Sequence, residues 1–138
     1  MVEREFNAKV DELHNVIGFI ESELEKYEFS LEIIDQFNLV IEELFVNIAS
    51  YAYKENENGK CKISIEYDKN KQEVKLFLED KGIRFNPLEK EEPNTNLSLK
   101  ERTIGGLGIF LVKNNMDNVE YKYEDNKNIL ILSKNIKI

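Results

Sequence analysis

Glu43 and Asn47 stand four residues apart in an apolar run that suits a helix, so they share one helix face, one turn apart. Tyr51 continues that line, whereas Glu42 points about 100° away and reads as surface. An amide oxygen is a neutral ligand that Mg²⁺ accepts while it keeps phosphates and waters in its shell. A carboxylate one turn away can take the proton of a hydroxyl or water attacking such a phosphate. A second group is Asp80-Lys81-Gly82, directly after a strand pattern. An aspartate there can accept a hydrogen bond from an exocyclic amino group such as that of adenine, with Gly82 letting the base approach the backbone. The third group is Gly105-Gly106-Leu107-Gly108, three glycines in four residues running into a helix-compatible segment. Bare backbone amides at a helix start make a seat for a phosphate chain. Each group alone also has a plain reading: polar residues on an exposed helix face, an Asp-x-Gly turn, a glycine turn before a core helix. Their joint occurrence in this order is much more specific than any one of them.

The elements that must position these groups can be traced from periodicity. Residues 2–6 suit a short strand, and Asn7 is placed to cap a helix over about residues 8–27. Its apolar face is Val10, Leu13, Val16, Ile17, Ile20, Leu24 and Tyr27. Glu12, Glu21, Glu23 and Glu25 fall off that face and read as solvated, as does His14. Ser30 caps a second helix running to about Tyr53, with Ile33, Ile34, Phe37, Val40, Ile41, Leu44, Phe45 and Ile48 as its buried side. After the polar turn at 55–59, Cys61 to Tyr67 and Val74 to Leu78 alternate as an antiparallel hairpin. From Asp80 to Thr103 there is almost no periodicity, and both prolines of the chain fall there. Aperiodic segments of more than ~12–15 residues in compact domains are usually lids or disordered. A helix over about Leu107–Asn115 then precedes a last hairpin, Val119 to Ser133, turning at Asp125-Asn126. Helices on one side of an antiparallel or mixed sheet give an α+β layer.

Bulk composition narrows the function classes. The 138 residues suit one domain over 1–138, and the net charge of −8 argues against nucleic acid or an anionic membrane as partner. One cysteine, Cys61, excludes an intrachain disulfide, and one histidine leaves too few ligands for a structural zinc site. No apolar stretch reaches the ~20 residues of a membrane span, and the first residues lack the pattern of a signal peptide, so a cytoplasmic location is expected.

On these motifs the chain resembles the GHKL ATPase superfamily. Glu43-Leu-Phe-Val-Asn47 is similar to its N box, Asp80-Lys-Gly82 to its first glycine box, and Gly105-Gly106-Leu-Gly108 to its second. Within it, the Tyr51-Ala52-Tyr53 segment, the Asp-x-Gly-x-x-Phe-Asn-Pro pattern at 80–87 and the run from Gly108 to Asp117 look most like the anti-sigma factor serine/threonine kinases. The resemblance implies a two-layer α+β sandwich of a mixed, largely antiparallel sheet with helices on one face, and an ATP lid at about 88–104. It implies ATP and Mg²⁺ as cofactors, Glu43 as general base and Asn47 as metal ligand. The implied nucleotide contacts are Asn47, Tyr51, Asp80, Gly82, Phe85, Arg102, Gly105, Gly106, Leu107 and Gly108. The implied substrate is a STAS-domain anti-sigma factor antagonist, with a sigma factor as a further partner and a homodimer as the assembly. Tyr51 replaces the histidine of many relatives, and Arg84 replaces a second glycine of longer first-box patterns. A non-catalytic ATP/ADP-binding module and a detached histidine-kinase ATP domain are the competing readings.

Overall fold

The computed structural model describes residues 1–89 and 107–136. The strands are β1 (Val2–Asn7), β2 (Lys60–Asp68), β3 (Glu73–Asp80), β4 (Asn118–Glu124) and β5 (Lys127–Asn135). The helices are α1 (Leu13–Glu25), α2 (Leu31–Tyr51) and α3 (Leu107–Asn115). The sheet order is β1-β2-β3-β5-β4, and every pairing is antiparallel. The α+β layering is as the sequence implies, with the "mixed, largely antiparallel" sheet sharpened to an antiparallel one among the described strands. The reason is the route of the chain: β4 takes the far edge, and a two-residue turn returns β5 into the space beside β3. Asp125 and Asn126, both at positive φ (53° and 61°), form that turn. Asp and Asn tolerate this region, and its twist suits a tight hairpin.

One face of the sheet is apolar. Phe6, Cys61, Ile63, Ile65, Val74, Leu76, Leu78, Leu130 and Leu132 meet α1, α2 and α3 in a single core. On β2 and β3 most of the alternate positions carry charge, as in the Lys62–Glu79 pair at 3.1 Å, while β5 places Ile129 and Ile131 there. Helix α2 supplies the largest share, with Phe37, Ile41, Leu44 and Phe45 essentially inaccessible to water. Its start is fixed by Ser30, whose Oγ accepts the Ile33 N–H at 3.3 Å. An N-cap of this kind is worth about 1 kcal/mol.

Three expectations are corrected. Asn7 does not cap a helix: it ends β1 opposite Lys60, whose ammonium its side-chain oxygen accepts. A 3-10 turn, Val10–Glu12, intervenes before α1, which is why Val10 is 53% exposed rather than part of the apolar face. Glu23 is buried, not solvated, and its carboxylate is held by Lys26 Nζ at 2.8 Å one turn on. A carboxylate can be covered there because it keeps a charged partner.

Candidate nucleotide pocket

The last turns of α2, the end of β3, the strap Gly82–Phe85 and the β4–β5 hairpin enclose a cavity of about 360 Å³. Its walls are largely apolar, from Leu44, Ile48, Ala52, Ile83, Ile109 and Leu130. Polar groups enter from Asn47, Asp80, Tyr121 and Asn128. An apolar cleft with a few placed polar groups is the common form of a small-molecule site.

Asp80 is the focus of the polar set. It is 6% exposed, and its Oδ1 accepts from Asn128 Nδ2 at 3.0 Å and from the Gly82 N–H at 2.9 Å. Its Oδ2 has no protein partner among the described residues. Burial pushes the Asp80 carboxyl above its ordinary range, against the opposing pull of those two hydrogen bonds. An aspartate held by one oxygen, with the other taking no hydrogen bond from the described residues, can receive an amino group and reject a carbonyl.

Asn128 is the residue that sequence reasoning missed. Its amide donates to Asp80 Oδ1 and to the Ile83 carbonyl at 2.9 Å. Its oxygen accepts from the Phe85 N–H at 3.1 Å and the Tyr121 hydroxyl at 2.5 Å. It faces Asp80 only because β3 and β5 pair in that register, 48 residues apart in sequence. Tyr53 was also missed: its hydroxyl donates to the Lys60 carbonyl at 2.6 Å and accepts the Lys81 N–H at 2.8 Å. It ties the end of α2 to the chain on both sides of the β2–β3 hairpin, beside Asp80.

The anticipated residues divide by place. Asn47, Tyr51, Asp80 and Phe85 line the cavity together. Tyr51 is half exposed at 52% and Phe85 at 46%, so both stand at the mouth. Gly82 is not a cavity wall; it packs against α2. A Cβ there would lie 2.6 Å from the Ala52 Cβ and closer still to the Ala52 carbonyl oxygen, which accepts the Ile83 N–H at 2.9 Å. The absence of a side chain at Gly82 therefore lets the strap approach the helix closely. Glu43 is half-buried and is not a wall of the cavity either. Its carboxylate lies against Gly108 in the first turn of α3, where an added Cβ would come within 2.7 Å of its Cδ. Leu107 begins α3. Arg102, Gly105, Gly106 and residues 90–104 of the segment expected as a lid (about 88–104) lie outside the described residues.

The donor set for a metal is sparse. Among the described residues no group of three His, Cys, Asp or Glu could hold an ion. Asn47 carries no hydrogen bond from its side chain among them, leaving its amide oxygen at the cavity uncommitted. That fits Mg²⁺, which takes one or two protein oxygens and completes its shell with phosphates and waters.

Comparison with known proteins agrees with this architecture. Residues 6–134 match the model of the histidine kinase-like ATPase domain. The chain belongs to that family. Among curated relatives, this ATPase domain is 26% identical over 107 residues to the serine-protein kinase RsbW of Listeria innocua, covering 75% of the chain and 67% of the relative. It is 30% identical over 97 residues to RsbW of Oceanobacillus iheyensis, covering 67% of the chain and 60% of the relative. Among solved structures, the RsbU and RsbW domains of a Mycobacterium tuberculosis protein superpose with a TM-score of 0.67 at 10% identity, covering 98% of this chain and 32% of that one. The SiaB–SiaC complex of Pseudomonas aeruginosa superposes with a TM-score of 0.62 at 14% identity, covering 97% and 89%. These structural likenesses bear on the fold. Among the described residues, no helix is long and apolar enough to cross a membrane.

Proposed function

We propose that this ATPase domain is an ATP- and Mg²⁺-dependent serine/threonine protein kinase that acts as an anti-sigma factor. The observation that carries the nucleotide part is buried Asp80 on the wall of an apolar cavity with one oxygen unengaged by the described residues, and the uncommitted Asn47 amide on the same cavity. Asp80 receives the adenine amino group, and the apolar walls take the faces of the base. Asn47 holds Mg²⁺, which supplies neutralisation of the phosphate charge. Gly105, Gly106, Leu107 and Gly108 seat the phosphates at the start of α3, and Arg102 adds positive charge. The glycines Gly82 and Gly108 also keep the strap and Glu43 in place.

In the transfer step the acceptor hydroxyl oxygen bonds to the γ-phosphorus, the bond from that phosphorus to the β-phosphate oxygen breaks, and ADP leaves. The hydroxyl proton passes to the Glu43 carboxylate, one turn from Asn47 on α2. Catalysis of this type is mainly positioning and electrostatics. The relatives named serine-protein kinase RsbW support a protein substrate, which we take to be a STAS-domain antagonist, with a sigma factor as second partner and a homodimer as the working assembly. The whole span 1–138 works as one unit with a lid at about 88–104, in the cytoplasm.

A non-catalytic ATP/ADP-binding module is the second reading, favoured by the place of Glu43 against Gly108 rather than on the cavity wall. Radiolabel transfer from γ-labelled ATP to a STAS-domain protein of the same genome separates the two. Glu43→Gln is expected to keep ATP affinity within a few-fold and to lose ~10²–10⁴ in transfer rate, the usual cost of a general base. Full transfer by the variant refutes the base. No transfer by the parent, with ATP bound, supports the second reading.

A further inference from the structure

We propose that Arg84 is a positioning residue for base selection at this cavity, an inference that rests on the nucleotide reading above. The strap Gly82–Phe85 forms the outer wall, with Ile83 and Phe85 lining the cavity although they are 63% and 46% exposed. Arg84 does not line it. Its guanidinium carbon sits 4.8 Å from the centroid of the Tyr123 ring, a cation over an aromatic face.

Tyr123 stands on β4 two residues from Tyr121, on the same face of the sheet. The Tyr121 hydroxyl bonds to Asn128 Oδ1, and Asn128 Nδ2 bonds to Asp80 Oδ1. Arg84 is also close enough to Tyr121 for its charge to favour the phenolate, opposing the upward push of burial on that group. The guanidinium therefore holds the strap from outside onto the two tyrosines that back the Asn128–Asp80 pair. Three backbone anchors remain without it: the Ile83 N–H to Ala52, the Ile83 carbonyl to Asn128, and the Phe85 N–H to Asn128. The fold is expected to survive loss of Arg84. What loosens is the orientation of the Asn128 amide, which turns Asp80 so that Oδ2 is left for the ligand. The effect should fall on discrimination between a 6-amino and a 6-oxo purine.

The test compares ATP with ITP, which carries an oxygen in place of the amino group, by calorimetry on the full chain. Arg84→Ala is expected to lower the preference for ATP over ITP by about two- to fivefold, the range of an exposed cation–π contact. Amide exchange at Ile83 and Phe85, measured without nucleotide, should quicken in the same variant. Arg84→Lys should restore part of the preference. Tyr123→Phe keeps the ring face and should match the parent, while Tyr123→Leu should copy Arg84→Ala. Equal weakening of ATP and ITP, or an unchanged ratio in both Arg84→Ala and Tyr123→Leu, overturns the assignment while leaving the nucleotide reading intact. A parent that binds neither nucleotide overturns that reading and this assignment with it.

Discussion

Asp80→Asn should make the fold more stable and the ligand site worse. In the native chain, Asp80 Oδ1 accepts two hydrogen bonds, at 2.9 and 3.0 Å, and Oδ2 takes none from the described residues. An asparagine oxygen can keep both bonds, because each donor is retained. Its NH₂ then occupies the place of Oδ2 and presents a donor to the adenine amino group, which is itself a donor. Loss of one hydrogen bond to a charged acceptor is worth about 1.5–3 kcal/mol, so ATP should bind roughly 10- to 100-fold more weakly. Stability moves the other way. Burial raises the folded Asp80 carboxyl above its unfolded value, so its favourable contribution is present at low pH and is lost as pH rises through the raised value. At neutral pH the parent therefore bears the cost of a desolvated carboxylate, and asparagine does not. Thermal melts should show the variant above the parent at pH 7, with the gap closing on acidification toward the ordinary carboxylate range near ~4. The two assays are independent. A variant that melts below the parent at pH 7, or a gap that widens in acid, refutes the burial argument. Unchanged ATP affinity refutes Asp80 as the base-reading group.

Two other substitutions test the support of the site. Gly108→Ala gains helix propensity of about 1 kcal/mol, but its Cβ displaces the Glu43 carboxylate. Phosphoryl transfer should fall at least about tenfold while ATP affinity changes less, if Glu43 is the base; parental transfer rates would refute this. Asn128→Ala removes one of the two hydrogen bonds to Asp80 Oδ1 and leaves the Tyr121 hydroxyl and the Ile83 carbonyl without the partner they have in the parent. A cost of about 1–3 kcal/mol per unsatisfied buried group predicts a clear loss of melting temperature together with weakened ATP binding, and a normal melt would show that water replaces the amide.

Local signals carried much of the molecule. The three-and-four spacing on α2, the Ser30 cap, the alternation in both hairpins and the Asp125-Asn126 turn are properties of short windows, and the structure has all of them. The same windows placed Asn47, Tyr51, Asp80 and Phe85 at elements that do converge on one cavity. Where a window was ambiguous, neighbours decided. Asn7 had a cap's chemistry but lay opposite Lys60 on β2, and Glu23 had a solvated residue's spacing but a partner at Lys26. Asn128 carries no local mark, since a polar residue near a hairpin turn is ordinary. Its role exists only because antiparallel pairing sets it across from Asp80. Gly82 and Gly108 were legible as glycines, yet what each avoids, the Ala52 backbone and the Glu43 carboxylate, is fixed by how the strap and α3 pack on α2. Periodicity and capping act over a few residues and are written in the chain; register and close packing join residues far apart in it, and only the folded sheet brings those together.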